Sequence, residues 1–127
     1  MIALLNKDIV QCRACPRLVK FREAVARKKR KQFEAWDYWG KPVPGYGEPD
    51  ASLLLTGLAP AAHGGNRTGR VFTGDKSADF LVRCLYDVGI ANQPNSDSLD
   101  DGLELINAYM TPVLKCVPPG DKPKPDE

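Results

Sequence analysis

Six residues, Ala51–Thr56 (ASLLLT), run directly into a nineteen-residue loop, GLAPAAHGGNRTGRVFTGD, from Gly57 to Asp75. This junction constrains the fold more than any other stretch of the chain. The apolar run has strand length and no polar alternation, which suits a strand buried on both faces of a parallel α/β sheet. Asp75 reads as the N-cap of a helix from Lys76 to about Val88, closed by Gly89. A loop between such a strand and helix lies at the carboxyl end of the strand, where open α/β sheets bind ligands. Its five glycines let backbone amides approach whatever is bound. The loop is neither a Gly-Lys-Ser/Thr phosphate loop nor a GxGxxG turn, so a nucleotide cofactor is not indicated.

Around this unit the remaining elements are simpler. Leu105–Lys115 reads as a second strand, in which Pro112 confines pairing to one side or marks a bulge. Ala91–Asp101 has no period and is expected to be a loop. Leu4–Lys20 is expected to be helical around a cysteine pair, with Leu5, Ile9 and Val10 as its apolar stripe. Phe21–Ala35 is helical by propensity and carries the basic run Arg27–Lys31. Trp36, Tyr38, Trp39 and Tyr46 then surround Lys41–Gly45 in an aromatic, proline-pinned loop. The tail Val117–Glu127 reads as loop, with Pro125-Asp126-Glu127 resembling a helix start. At 127 residues the chain is one domain at most, spanning 1–127. One strand–loop–helix–strand unit behind a helical front makes a thin core, so the C-terminal part of the domain is expected to lie outside this sequence.

Charge divides the chain. Residues 1–47 carry eleven Lys/Arg against four Asp/Glu, and residues 48–127 carry seven against twelve. A basic front half suggests a polyanionic partner, nucleic acid first, although a run of like charges can also be only a solvated face. Mean hydropathy is −0.36, and no run approaches the ~20 apolar residues of a spanning helix. Met1–Lys7 lacks the basic start and cleavage site of a secretory signal. The expected compartment is the cytoplasm, where cysteines serve metals, clusters or cores more often than disulfides.

Cys12-Arg13-Ala14-Cys15 has the spacing that lets two thiolates reach one metal or cluster. Cys116 follows the second strand, before Pro118-Pro119, at a loop position suited to a ligand. Cys84 shares a helical face with Phe80, Leu81, Leu85 and Val88, which marks it as a small buried hydrophobe. On that reading three ligands are present and a fourth lies beyond Glu127. A redox pair would want a strand before the CxxC, and none precedes it. Zinc and iron–sulfur are not separated by thiolates alone.

The Gly57–Asp75 loop, preceded by YWGKPVPGYGEPDA and the CxxC and followed by KCVPPGDKPKP, resembles the type B (family 5) uracil-DNA glycosylases over nearly the whole chain. The resemblance implies a three-layer α/β/α fold with a central parallel sheet, of which this sequence matches roughly the N-terminal three-fifths. It implies a 4Fe-4S cluster held by Cys12, Cys15 and Cys116, with the fourth cysteine beyond residue 127. It further implies a base pocket of Gly57, Ala59, Pro60, Ala61 and Phe72, with the Phe72 ring stacking on uracil. Ala59 stands where other uracil glycosylases carry a water-activating Asp or Asn. Water would then be positioned by backbone groups or by His63 and Asn66, the candidates for the chemistry. A second catalytic loop of the family falls outside the sequence. Thr111-Pro112 departs from the Thr-Asn of many relatives, which removes a possible base contact.

The implied partner is DNA containing uracil or other deaminated bases. Lys28, Lys29, Arg30, Arg67 and Arg70 would contact phosphates without reading sequence. The expected state is a monomer in the cytoplasm, associated with the nucleoid. Two alternatives stay open: a non-catalytic nucleic-acid-binding module of the same superfamily, and a zinc-ribbon-like protein using Cys12, Cys15, Cys84 and Cys116.

Overall fold

The computed structural model describes all residues, Met1–Glu127. In chain order the elements are α1 (Ile2–Gln11), α2 (Pro16–Lys28), β1 (Tyr46–Gly47), β2 (Leu53–Gly57), α3 (Gly65–Thr68), α4 (Lys76–Asp87) and β3 (Ala108–Pro112). Single 3-10 turns occupy Lys31–Phe33 and Pro119–Asp121. The fold is of the α/β class. No helix is long and apolar enough to cross a membrane.

The first expected helix is two. Cys12 and Cys15 both have extended backbone (ψ 134° and 97°), and Pro16 opens α2 at its first position. Proline disfavours helical geometry in the residue before it and is pre-shaped for a helix start, so the CxxC becomes the link between α1 and α2. In α1, Leu5 is exposed, while Asn6 faces inward and donates to the Tyr109 hydroxyl at 3.2 Å. The second helix stops at Lys28 instead of Ala35, because Lys29 turns to a left-handed φ of 57°.

The sheet has the order β1-β3-β2. β2 and β3 are parallel, in register from Leu53↔Ala108 to Gly57↔Pro112. β1 lies antiparallel on the other side and meets only Tyr109 and Met110, so the sheet is mixed and not wholly parallel. Pro112 has no amide hydrogen and sits where the β1 ladder has already ended. The proline-pinned loop thus holds a two-residue strand. β2, expected to be buried on both faces, is an edge strand with Leu53 and Leu54 exposed.

The core gathers Val43, Val71, Val82, Leu85, Leu105, Ala108 and Met110. As expected, Asp75 caps α4, its side chain accepting from the Ala78 amide at 2.8 Å. The buried face of α4 is Ala78, Val82 and Leu85, and Phe80, Cys84 and Val88 point to solvent. The reading of Cys84 as a buried hydrophobe is therefore corrected. At the tail the Glu127 amide donates to the Lys124 carbonyl at 3.1 Å and the Glu127 carboxylate accepts from the Lys124 amide at 2.8 Å, the bonding of a helix start, while Arg17 donates to the Lys122 carbonyl at 2.7 Å and pairs with Glu127, holding this turn against α2.

Candidate functional site

β2 ends at Gly57, whose carbonyl accepts from the Val113 amide at 2.8 Å. The ring of Phe72 lies directly over this glycine. A Cβ at Gly57 would stand 2.7 Å from the Phe72 ring tip, closer than side chains approach one another. Phe72 itself has a left-handed φ of 49°, a strained geometry for a bulky residue that tends to persist where function needs it. Gly57 and Phe72 are thus brought together at the carboxyl end of β2, with Pro60 buried beneath the loop and Ala59 half-buried.

The largest cleft, about 760 Å³, opens beside them. Ala61, His63 and Arg67 line it from the loop, Arg30 and Trp36 from the segment after α2, and Asp75 from the start of α4. Gly57, Ala59, Pro60, Asn66 and Phe72 are not among its lining residues, so the expected pocket divides into a ring-over-glycine platform and this neighbouring cleft.

His63 Nδ1 lies 2.8 Å from the Tyr38 hydroxyl, and the two rings meet edge-on with centroids 5.8 Å apart. Partial burial lowers the tendency of His63 to protonate, and the positive charges of Arg30 and Arg67 lower it further. The imidazole is thereby biased to its neutral form at neutral pH.

Arg67 and Arg70, the expected phosphate contacts of the loop, both lie largely within the fold. Arg67 is 3% exposed. Its guanidinium is held between the rings of Phe33 and Trp36, 3.8 and 4.1 Å from their centroids. It donates to the carbonyls of His63 at 2.5 Å and Gly74 at 2.8 Å. Arg70 is 5% exposed and gives both oxygens of Asp101 hydrogen bonds of 2.9–3.0 Å. It also reaches Thr73 and Ser96. Burial opposes the charge on Asp101, but Arg70 and the amides of Asp97 and Leu103 outweigh it and hold the carboxyl down to about 2. Burial pushes the adjacent Tyr46 phenol up to about 12. Arg70, closed off by Asp101, builds the loop, whereas Arg67 is fixed by its rings and carbonyls and still lines the cleft. Lys28 and Arg30 stay exposed, and the half-buried Lys29 lies 5.9 Å over the Tyr38 ring.

Asn66 is also turned away from the cleft. It is 1% exposed and donates to the Arg22 carbonyl at 3.3 Å. Tyr38, Phe33 and Trp36 are site-building residues that the sequence reading left without a role. Their signal was an aromatic cluster beside a basic run, the composition from which cation–π contacts form. Lys115 is a further one: its amine donates to Thr111 at 2.6 Å and to the Pro112 carbonyl, a cation at the carboxyl end of β3.

The cysteines divide three to one. Burial raises the Cys116 thiol, the nearby Arg22 guanidinium opposes that, and Cys12 and Cys15 are close enough to raise it further. Arg22, 2% exposed, also donates to the carbonyls of Gly40 at 2.8 Å and Cys12 at 3.2 Å. Cys84 is exposed on α4. No group of three His, Cys, Asp or Glu side chains stands around one point as a single metal ion requires.

With this geometry described, comparison with known proteins adds kinship. A sequence model described as the Uracil DNA glycosylase superfamily matches residues 44–127. The chain is 50% identical over 119 residues to a type-5 uracil-DNA glycosylase of Pyrobaculum aerophilum, covering 94% of this chain and 52% of that protein. It is similarly 50% identical over 121 residues to the Thermus thermophilus type-5 enzyme, covering 95% of this chain and 54% of that protein. A type-4 uracil-DNA glycosylase of Sulfurisphaera tokodaii is 29% identical over 111 residues, which are 87% of this chain and 43% of that protein. The chain spans about half the length of the curated relatives it matches.

Proposed function

Because the chain belongs to the uracil-DNA glycosylase superfamily, we propose that it serves the hydrolysis of the N-glycosidic bond of uracil in DNA, leaving an abasic site. The observation that carries this reading is the flat Phe72 ring held over Gly57 beside a cleft lined by a neutral imidazole. A uracil extruded from the stack needs such a platform, because its glycosidic carbon is unreachable within the duplex. As the bond breaks, positive charge develops on the sugar and negative charge on the departing base. Fixed backbone donors of the loop, with His63, stabilise that negative charge. Ala59 offers no carboxylate to activate water, and Asn66 is committed to α2. Of the two chemistry candidates we assign the role to His63, which lines the cleft; Gly57, Ala59 and Phe72 would form the base platform, with Pro60 buried beneath it and Ala61 on the cleft side.

DNA would approach over Lys28, Lys29 and Arg30, which supply phosphate contacts of the sequence-independent kind. Cys12, Cys15 and Cys116 would hold a 4Fe-4S cluster, with a fourth ligand from outside these residues. The donor set fits: a cluster distributes its thiolates over separate irons, so they need not converge as zinc ligands do. The buried Arg22 cation beside Cys116 suits a thiolate-bound group of negative charge. Such a cluster supplies a structural crosslink between the α1–α2 link and the segment after β3. The working state would be a monomer in the cytoplasm, at the nucleoid.

A uracil-release assay on a duplex with a single uracil tests the reading. It is run on this chain and on this chain joined to the portion of a type-5 relative that it does not match. Release by the joined protein is expected. Tight binding without release would instead establish a nucleic-acid-binding module.

A further inference from the structure

His63 lines the cleft, and its Nδ1 is occupied at 2.8 Å by Tyr38. The direction of that hydrogen bond decides what the imidazole can do, and the neighbours of Tyr38 settle it. The backbone amide of Arg30 donates to the Tyr38 oxygen at 3.2 Å. The phenol therefore already acts as an acceptor, and its one proton needs a partner, because Tyr38 is only 8% exposed. His63 Nδ1 is the only acceptor its hydroxyl meets. Were Nδ1 to carry a proton instead, two donors would converge on the phenol oxygen and the hydroxyl proton would be left unpaired in a buried place, at real cost. The Arg30 amide is placed for this by the left-handed turn at Lys29, which ends α2 just before it.

We propose that Tyr38 is a positioning residue that fixes His63 as its Nε2–H tautomer, so that the neutral imidazole presents a hydrogen-bond donor to the cleft. Nε2, on the far side of the ring from Tyr38, has no partner within the fold and is the polar atom the ring offers there. A neutral imidazole donating from Nε2 suits a base that departs with growing negative charge on its oxygens, since it stabilises that charge without first having to be protonated. The surroundings agree. Arg30 and Lys29 approach from the segment after α2, Arg67 from α3, and Asp75 and Asp79 from the start of α4. The cations nearest the ring disfavour a second proton on it. The inference rests on the glycosylase reading for its purpose but not for its test.

His63 is the sole histidine of the chain, so a 15N-detected NMR titration of the unmodified protein reads this ring without ambiguity. The expected result is a proton on Nε2, a bare and hydrogen-bonded Nδ1, and a midpoint below the usual histidine range. In Tyr38→Phe the ring is kept and the donor removed. The neutral form then loses its hydrogen bond, so the midpoint moves upward and the single-tautomer pattern is lost. Two results would overturn the proposal: a proton on Nδ1 in the unmodified protein, or a His63 titration unchanged in a folded Tyr38→Phe variant. The first needs no variant at all. Neither depends on uracil, so this test and the uracil-release assay fail separately.

Discussion

Arg67 and Arg70 stand three residues apart in one loop, and both are almost entirely buried, yet their charges are handled in opposite ways. Arg70 meets a carboxylate through two hydrogen bonds and is neutralised where it lies. Arg67 meets two aromatic faces and two carbonyls, and no anion pairs with it. A guanidinium is less strongly hydrated than an ammonium and stacks on rings, which makes the second arrangement available to arginine and not to lysine. The Arg70 end of the loop is thus closed by its own carboxylate, and the Arg67 end keeps a guanidinium without an ion pair on a cleft whose lining also carries Asp75, Asp79, Asp97 and Asp121. That difference separates the part of the loop that anchors the fold from the part that faces a reaction.

The comparison can be broken most forcefully at Asp101. Asp101→Ala leaves Arg70 as an uncompensated buried charge and should cost about 3–5 kcal/mol of stability in denaturant unfolding. The His63 titration of whatever remains folded should be unchanged. A shifted His63 would mean that the two ends are coupled.

Acid breaks the same bond without mutation. The Asp101 carboxyl is depressed in the fold, so its contribution is complete above the unfolded carboxylate range and is lost as pH falls toward about 2. Unfolding followed against pH should show this loss in the unmodified chain, and Asp101→Asn should lack it.

At the other end, Trp36→Leu removes one of the rings that hold Arg67. A desolvated cation–π contact is worth about 2 kcal/mol, so a smaller loss is expected here. The cleft should respond more than the core, with His63 changing its titration. The smallest effect belongs to Asp75→Ala, which uncaps α4 for about 1 kcal/mol; Asp75 also acts electrostatically on Arg67, so the change should leave the Arg70 end untouched and register at the Arg67 end.

Local chemistry was legible in the sequence where a signal and its effect lie within one turn. The strand–loop–helix unit was of this kind: the ASLLLT run, the glycines and the Asp75 cap all act over a few residues. The break at Cys15-Pro16 was equally local, and helix propensity on either side obscured it. The inward face of α4 was not legible, because two apolar faces compete on it. Phe80, Leu81, Cys84, Leu85 and Val88 are larger, but Ala78, Val82 and Leu85 fit beneath the sheet. Nor were the roles of Arg67 and Arg70 legible. Their partners lie about thirty positions away in the chain, at Phe33, Trp36 and Asp101, and only the fold brings them together.

β2 pairs with β3 alone, and its other rim carries the open backbone of Leu53–Gly57 between exposed Leu53, Leu54 and Leu58. Such a rim is a template for another chain. For this chain alone, protein concentration therefore becomes a variable of every measurement, whereas the joined protein, proposed as a monomer, should be independent of it. Dilute and concentrated samples should melt at different temperatures, scatter light differently and separate differently by size. A single charged substitution at Leu54, a residue 61% exposed, should bring the two back together.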